Sequence, residues 1–313
     1  MKYFITGGAG FIGSNMVHKL LQDKDNRITI YDNFSSGRRS HIEDCLKDKR
    51  VRLIEGDLLN LPLLKRSIKG HDSVFHFAAN ADIAKSMIET DLDLKLGIIT
   101  TYNVVEAMRI NGIKMIAYSS GSGIYGDVDK TKTSENYGPL VPISMYGASK
   151  LGAEGIISAF SHLFDMKSWI FRFANVVGKR QTHGICFDFI RKLKEEPTRL
   201  EILGDGTQSK SYIHVSDVID AMLYVIKNSK NKVNIFNVAT DSYITVTEIA
   251  KIVVEEMRLN EVKFVYTGGD RGWKGDVPIV RFDLTKIHTL GWKEKHNSRE
   301  AITLSIKELL KEL

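Results

Sequence analysis

The sequence predicts an α/β protein: a doubly wound parallel sheet, with a smaller α/β lobe toward the carboxyl end. Three observations carry this. Short apolar runs rich in β-branched residues alternate with helical patterns along the first half of the chain, the signature of strands joined by crossover helices. The first run, Lys2–Thr6, opens directly into Gly7-Gly-Ala-Gly-Phe-Ile-Gly13 and then the amphipathic segment Ser14–Leu21. From Lys179 onward the segments become shorter and more polar, so a second lobe is expected there. The predicted division is a nucleotide-binding domain at 1–178 and 215–242, with a substrate lobe at 179–214 and 243–313.

A chain of 313 residues is long enough for two such lobes and a sizeable core. Lys and Arg number 44 against 38 Asp and Glu, a net charge of +6. The excess is spread over helices in which Lys and Glu alternate, as in Arg191-Lys-Leu-Lys-Glu-Glu, the pattern of a solvated face. No nucleic-acid motif is found, and no nucleic-acid partner is expected. The two cysteines, Cys45 and Cys186, belong to no C-x-x-C, and the nine histidines show no metal-ligand spacing, so no metal is expected and a reduced, cytoplasmic protein is. Lys2–Thr6 already reads as a strand rather than a signal peptide, and no apolar run is long enough to cross a bilayer.

Each element then has its own argument. Gly8, Gly10 and Gly13 satisfy G-x-G-x-x-G, and Gly7, Gly10 and Gly13 give a second glycine spacing, between a strand and a helix. Such a turn brings backbone against a pyrophosphate and offers it the N–H groups of the helix start. A second strand, Arg27–Tyr31, ends in Asp32, where an acid binds the adenosine ribose hydroxyls and repels a 2′-phosphate. NAD is therefore expected over NADP, with Arg38 and Arg39 close in sequence. Val51–Glu55 reads as a strand before Asp57, which suits either an adenine contact or a helix cap. Ser73–Phe77 reads as a strand leading into Ala78, Ala79 and Asn80, with Phe77 to Ala79 on the adenosine side. Leu92–Ile110 is a long helical pattern, and Ile113–Tyr118 is a buried strand opening at Ser119-Ser-Gly-Ser122, where parallel sheets place their ligands. Ser168–Val177 and Val233–Val238 complete the sheet, and Thr245–Met257 is a helix capped by threonine.

The chemistry is centred on Tyr146-Gly-Ala-Ser-Lys150, at the start of a helix. Tyr and Lys at i, i+4 share one face a single turn apart. A phenol of pKa about 10 is about 0.1% ionised at pH 7, and working range lies about 4 kcal/mol away. The Lys cation, with a positively charged nicotinamide, is expected to supply that stabilisation in a partly desolvated cleft. Two residues on a solvated helix face share this spacing, and the glycine turn upstream is what gives the pair its weight.

These motifs together resemble those of the extended short-chain dehydrogenases/reductases, in the nucleotide-sugar epimerase/dehydratase family, nearest its UDP-glucose 4-epimerase-like members. The resemblance covers nearly the whole chain. It rests on Thr6–Gly13, Asp32-Asn33, Gly56-Asp-Leu58, His76-Phe-Ala-Ala79, Tyr125-Gly126 and Tyr146-x-x-x-Lys150. It continues through Arg172-x-x-Asn175-x-x-Gly178, Gly204-Asp-Gly-Thr207, Tyr212-Ile-His-Val215, and Arg271 before Gly275-Asp276. It implies a Rossmann domain holding NAD through Gly7, Gly10, Phe11, Ile12 and Gly13. Asp32, Asn33, Ser35, Asp57, Leu58 and Phe77, Ala78 and Ala79 would serve the adenosine side, and Ser119 would also contact the cofactor. Phe173 and Val176 would lie near the nicotinamide, and Lys150 on its ribose. Tyr146 would be the catalytic base, with Asn80, Asn175, Lys210 and Arg271 on a nucleotide-diphosphate sugar. A homodimer on helices 92–110 and 146–164 is also implied.

The departures narrow the reaction. Where the family carries a Ser or Thr four residues before Tyr125, to help move the sugar proton, this chain has Gly121. Ser122 and Gly123 occupy the positions of the acid and base that relatives use for dehydration, so dehydration is not expected. Oxidation at C4 remains, with Ser119, Ser120 or Ser122 replacing the hydroxyl. A 4-epimerase, which returns the hydride to the other face, is the favoured reading. A 4-dehydrogenase that releases the keto sugar is the alternative, and a cofactor-bound sensor without turnover is a third, non-catalytic reading.

Overall fold

A computed structural model describes residues 1–80, 84–273 and 275–313 and resolves two compact units. The first comprises residues 1–124, 145–172 and 226–236; the second comprises 125–144, 173–225 and 237–313.

The first unit holds the main sheet. Its leading strands are β1 (Lys2–Thr6), β2 (Arg27–Asp32), β3 (Val51–Glu55), β4 (Ser73–His76) and β5 (Met115–Gly121), joined later by Lys167–Phe173 and Val233–Val238. Across the sheet the order is β3, β2, β1, β4, β5, Lys167–Phe173, Val233–Val238. The ladders β1 to β2, β1 to β4, β2 to β3 and β4 to β5 are all parallel. Chain order reverses between β1 and β4, the switch point at whose carboxyl ends such sheets bind ligands. The helices are α1 (Phe11–Leu20), α2 (Leu61–Ser67), α3 (Thr100–Ile110) and α4 (Met145–Leu163). Phe4, Val74, Ile116 and Ile170 of the sheet pack with Leu64 of α2, Val104 and Met108 of α3, and Ala153 and Ile157 of α4. Each of these buried side chains larger than Ala153 contributes about 1.5–3 kcal/mol.

Two elements differ from expectation. The 92–110 pattern is not one regular helix: Leu94–Ile99 is a π-helix that runs into α3. Close packing accompanies it, since a Cβ on Gly97 would lie 2.6 Å from Ser149 Oγ on α4. The expected strand 168–177 is two strands. Lys167–Phe173 stays in the main sheet, while Asn175–Val177 pairs in parallel with Tyr212–His214. The break falls at Ala174, whose N–H donates to Val238 O at 3.0 Å.

The second unit has its own core of Phe189, Ile190 and Leu193, Ile249 and Val253, and Ile302 and Ile306, on three helices. Two of these open with capping boxes, Thr245 with Glu248 and Asn297 with Glu300. Residues 125–144 belong here rather than with the nucleotide-binding part, because Lys132–Thr133 pairs with Arg281–Phe282. Asn237 strengthens that join, accepting from Tyr125 Oη at 2.7 Å and donating to Thr133 O at 2.9 Å.

Candidate active site

The glycine turn forms where β1 ends. Gly7 takes φ +67°, and its N–H donates to Tyr31 O at 3.0 Å. A Cβ on Gly7 would lie 2.7 Å from Ala78 N, and one on Gly13 would lie 2.1 Å from Gly7 O. Both are backbone approaches that only glycine permits. Phe11 starts α1, and Gly10 at its N-cap offers no side-chain acceptor; no acid sits in the first turn. The positive end of the helix, with Phe11, Ile12 and Gly13 at its start, is thus left to an anion. These features fit a dinucleotide's pyrophosphate.

Asp32, at the end of β2, is buried; Oδ2 accepts from Ala9 N and Oδ1 from Phe34 N, each at 2.9 Å. Burial raises its pKa, and the two N–H bonds hold it back. Each oxygen keeps a lone pair for a ribose hydroxyl. Asn33 Nδ2 donates to Asp57 Oδ2 at 3.0 Å, and Ser35 N–H to Asn33 Oδ1 at 3.1 Å, so the loops after β2 and β3 are tied. Asp57 is not the cap of α2, a role taken by Asn60, which accepts from Leu63 N. Leu58 is buried, its carbonyl bound by Asn103 Nδ2 at 2.8 Å. Phe77 follows β4 and donates its N–H to Thr6 O at 3.1 Å. Ala78 is the backbone against Gly7, and Ala79 follows it, half-buried.

Tyr146 and Lys150 lie in the first two turns of α4, facing the end of β5. Lys150 Nζ donates to Ser119 O at 2.7 Å and sits 5.5 Å from the Tyr146 ring centre and 5.0 Å from that of Tyr118. Burial pushes the Lys150 amine down to about 8, against the pull of Asp93 and Glu154. It pushes the Tyr146 phenol up to about 12, and the Asp93 carboxylate adds to the rise. The expected lowering counts on Lys150 together with a positively charged nicotinamide; in the protein alone burial dominates and holds the phenol above its ordinary value.

Two features of this site escaped sequence reasoning. Asp93 is buried, accepting from Asn80 Nδ2 at 3.1 Å and from the Ser86 hydroxyl, so Asn80 is engaged within the unit. His76 is fully buried between Thr6 Oγ1 at 2.7 Å and Thr101 Oγ1 at 3.0 Å; burial and then Lys150 push it down to about 3, so it is neutral. Asp93 has no sequence signal, and although His76 opens the His76-Phe-Ala-Ala79 motif, its buried, neutral state depends on partners that only the fold supplies.

Of the three hydroxyls expected to replace the one missing at Gly121, Ser120 is already engaged. Its Oγ donates to Glu154 at 2.5 Å, inside a buried pair of Glu154 with Arg172 at 2.8 Å. Ser119 Oγ makes a long bond to His76 O at 3.4 Å, and Ser122 is half-buried in the short helix Ser122–Ile124.

In the second unit, Lys210 and Arg271 are brought together on Asp276. Lys210 Nζ is 2.6 Å from Asp276 Oδ1, and Arg271 Nη1 donates to Asp276 O at 2.9 Å while its Nη2 pairs with Asp127 at 2.5 Å. Asp127 raises the Arg271 pKa further. Lys274 lies outside the described residues. Asn175 and Val176 lie on the strand beside Tyr212–His214, half-buried, and Phe173 is buried.

Residues 3–239 match the family model described as the NAD dependent epimerase/dehydratase family. Over 304 residues, 95% of either protein, the chain is 31% identical to a putative UDP-glucose 4-epimerase of Methanocaldococcus jannaschii. A crystal structure of a UDP-galactose 4-epimerase superposes with TM-score 0.89 at 35% identity, covering all of both chains. A UDP-glucose 4-epimerase with UDP-glucose from Thermotoga maritima gives TM-score 0.89 at 31% identity, covering 100% of this chain and 99% of that one.

Proposed function

Because this chain belongs to the NAD dependent epimerase/dehydratase family, we propose that it is an NAD-dependent 4-epimerase of nucleotide-diphosphate sugars, with UDP-sugars the first class to test. The observation that carries this reading is the Tyr146 and Lys150 pair at the end of β5, in the same unit as the glycine turn. When bound, NAD supplies the hydride acceptor and returns the hydride. Gly7 to Gly13 hold the pyrophosphate, Asp32 the adenosine ribose, and Lys150 the nicotinamide ribose. In the first half-reaction the C4 hydrogen leaves as hydride, the O–H proton passes to the Tyr146 phenolate, and a C4 carbonyl forms. In the second, the carbonyl's other face receives the hydride and Tyr146 gives the proton back. Burial holds the Tyr146 phenol above its ordinary value in the protein alone, and the positive charge of a bound nicotinamide would lower it.

Lys210, Arg271 and Asn175 serve the substrate's diphosphate, which displaces carboxylates from the two cations. A homodimer on the helices around 92–110 and 146–164 is part of the proposal, as are a cytoplasmic site and a role in polysaccharide sugar supply. Gly121 favours one second reading, a 4-dehydrogenase, since Ser120 is committed to Glu154 and only Ser119 or Ser122 stands in for the missing hydroxyl.

The test is mass-resolved chromatography after incubation with UDP-, GDP-, CDP- and dTDP-sugars. A new peak of unchanged mass is expected. A product lighter by two hydrogens moves the assignment to the dehydrogenase, and no product from any sugar counts against both. Tyr146→Phe should lower turnover about 10²–10⁴-fold.

A further inference from the structure

Away from the Tyr146 and Lys150 pair, the fold gathers His18 on α1 with Asp44 and Cys45, neighbours in sequence that follow β2 in the same unit. One ligand atom from each lies within 4.8 Å of the other two. His18 Nε2 is 3.4 Å from Cys45 Sγ, 3.5 Å from Asp44 Oδ1 and 3.2 Å from the carbonyl of His41. A tetrahedral zinc with bonds of about 2.0–2.3 Å sets its ligands about 3.3–3.7 Å apart. The separations around Nε2 fall at or just below that spacing.

We infer that His18, Asp44 and Cys45 form a binding site for a borderline-soft divalent cation of the zinc class, with the His41 carbonyl beside the fourth position. The donor set supports the metal class: imidazole, thiolate and carboxylate together suit Zn(II) rather than a hard cation such as Mg(II). Burial supports it too. Cys45 is 4% exposed, which protects a metal–sulfur bond, while the Asp44 side chain, 65% exposed, leaves a way in. Sγ is nearly equidistant from the two ring nitrogens, at 3.5 and 3.4 Å, so it does not lie along the Nε2 lone pair, and ligation through Nε2 requires the half-buried His18 ring to turn. Binding releases the Cys45 thiol proton to solvent. Occupancy would tie α1 to the segment whose His41 Nδ1 bonds Ala9 O at 3.0 Å, bracing the glycine turn from behind.

The test titrates Co(II), and then Zn(II) in competition, into the metal-stripped full-length protein. One equivalent of Co(II) should give the intense visible bands of a tetrahedral site plus a thiolate charge-transfer band, and Zn(II) should bleach both. Cys45→Ser and His18→Asn should abolish the spectrum, Asp44→Asn should weaken binding, and Cys186→Ser should leave it intact. Circular dichroism melts of each variant separate loss of ligand from loss of fold. A pale octahedral spectrum, or an unchanged one in Cys45→Ser, overturns the inference.

Discussion

At the scale of single residues the site is organised by burial. Lys150 is 3% exposed, and its amine falls from an ordinary 10.5 to about 8 in the folded chain. Below pH 8 the group is charged in both states, so the cost of burying it is felt in full. Between about 8 and 10.5 the folded form gives up its proton first, the unfolded chain binds more protons, and stability rises with pH. Tyr146 acts the other way but later: its phenol, raised to about 12, erodes stability only above pH 10. Urea unfolding of the cofactor-free protein should therefore show Lys150 contributing an increase of about 2–3 kcal/mol from pH 8 to 10. The difference between wild type and Lys150→Met isolates it. Parallel pH curves for the two proteins would mean that the amine is solvated after all.

At the scale of elements, the strand, turn and helix at the amino terminus is the strictest piece. A Cβ on Gly13 would meet Gly7 O at 2.1 Å, with no flexible side chain to move aside. Gly13→Ala should cost about 1–3 kcal/mol by overpacking and weaken NAD binding, seen as a smaller rise in melting temperature when NAD is added. A variant stabilised by NAD as much as wild type would remove the turn from the cofactor site. This element was legible because local chemistry alone dictates it. β1, β3 and Val233–Val238 likewise match their apolar runs residue for residue. The break at Ala174 was not legible, since Ser168–Val177 is continuously strand-like and only pairing with two different partners divides it. Nor was the π-helix Leu94–Ile99, where the apolar periodicity carries on through the irregular backbone. At the site, Tyr146 and Lys150 could be found by spacing. Asp93, the bond from Ser120 to Glu154, and the meeting of His18 with Cys45 are long-range contacts without a local pattern.

At the scale of the whole molecule, the proposed homodimer would use the outward faces of two helices. Ile99, Tyr102 and Ile110, spaced three and eight residues apart, are 39%, 45% and 47% exposed on one side of the 94–110 segment. On α4, Ala148, Gly155 and Ala159 are exposed at intervals of seven and four, a smooth strip between Met145 and Leu163 at its ends. An apolar ridge and a strip of small residues suit close helix packing with a second copy, and exposed apolar surface of this kind is disfavoured in a monomer. Gly155 gives the cleanest test, because a Cβ there would meet nothing within 4 Å inside the chain. Gly155→Arg should therefore leave the monomer's fold intact, and arginine is a better helix former than glycine. Sedimentation should give twice the 35.3 kDa chain mass for wild type and the single mass for the variant, at matched circular dichroism. A wild-type monomer, or a variant that still sediments as a dimer, would place the association elsewhere or nowhere. If the variant is monomeric and keeps its turnover, each chain carries a complete site, and the helices serve assembly rather than chemistry.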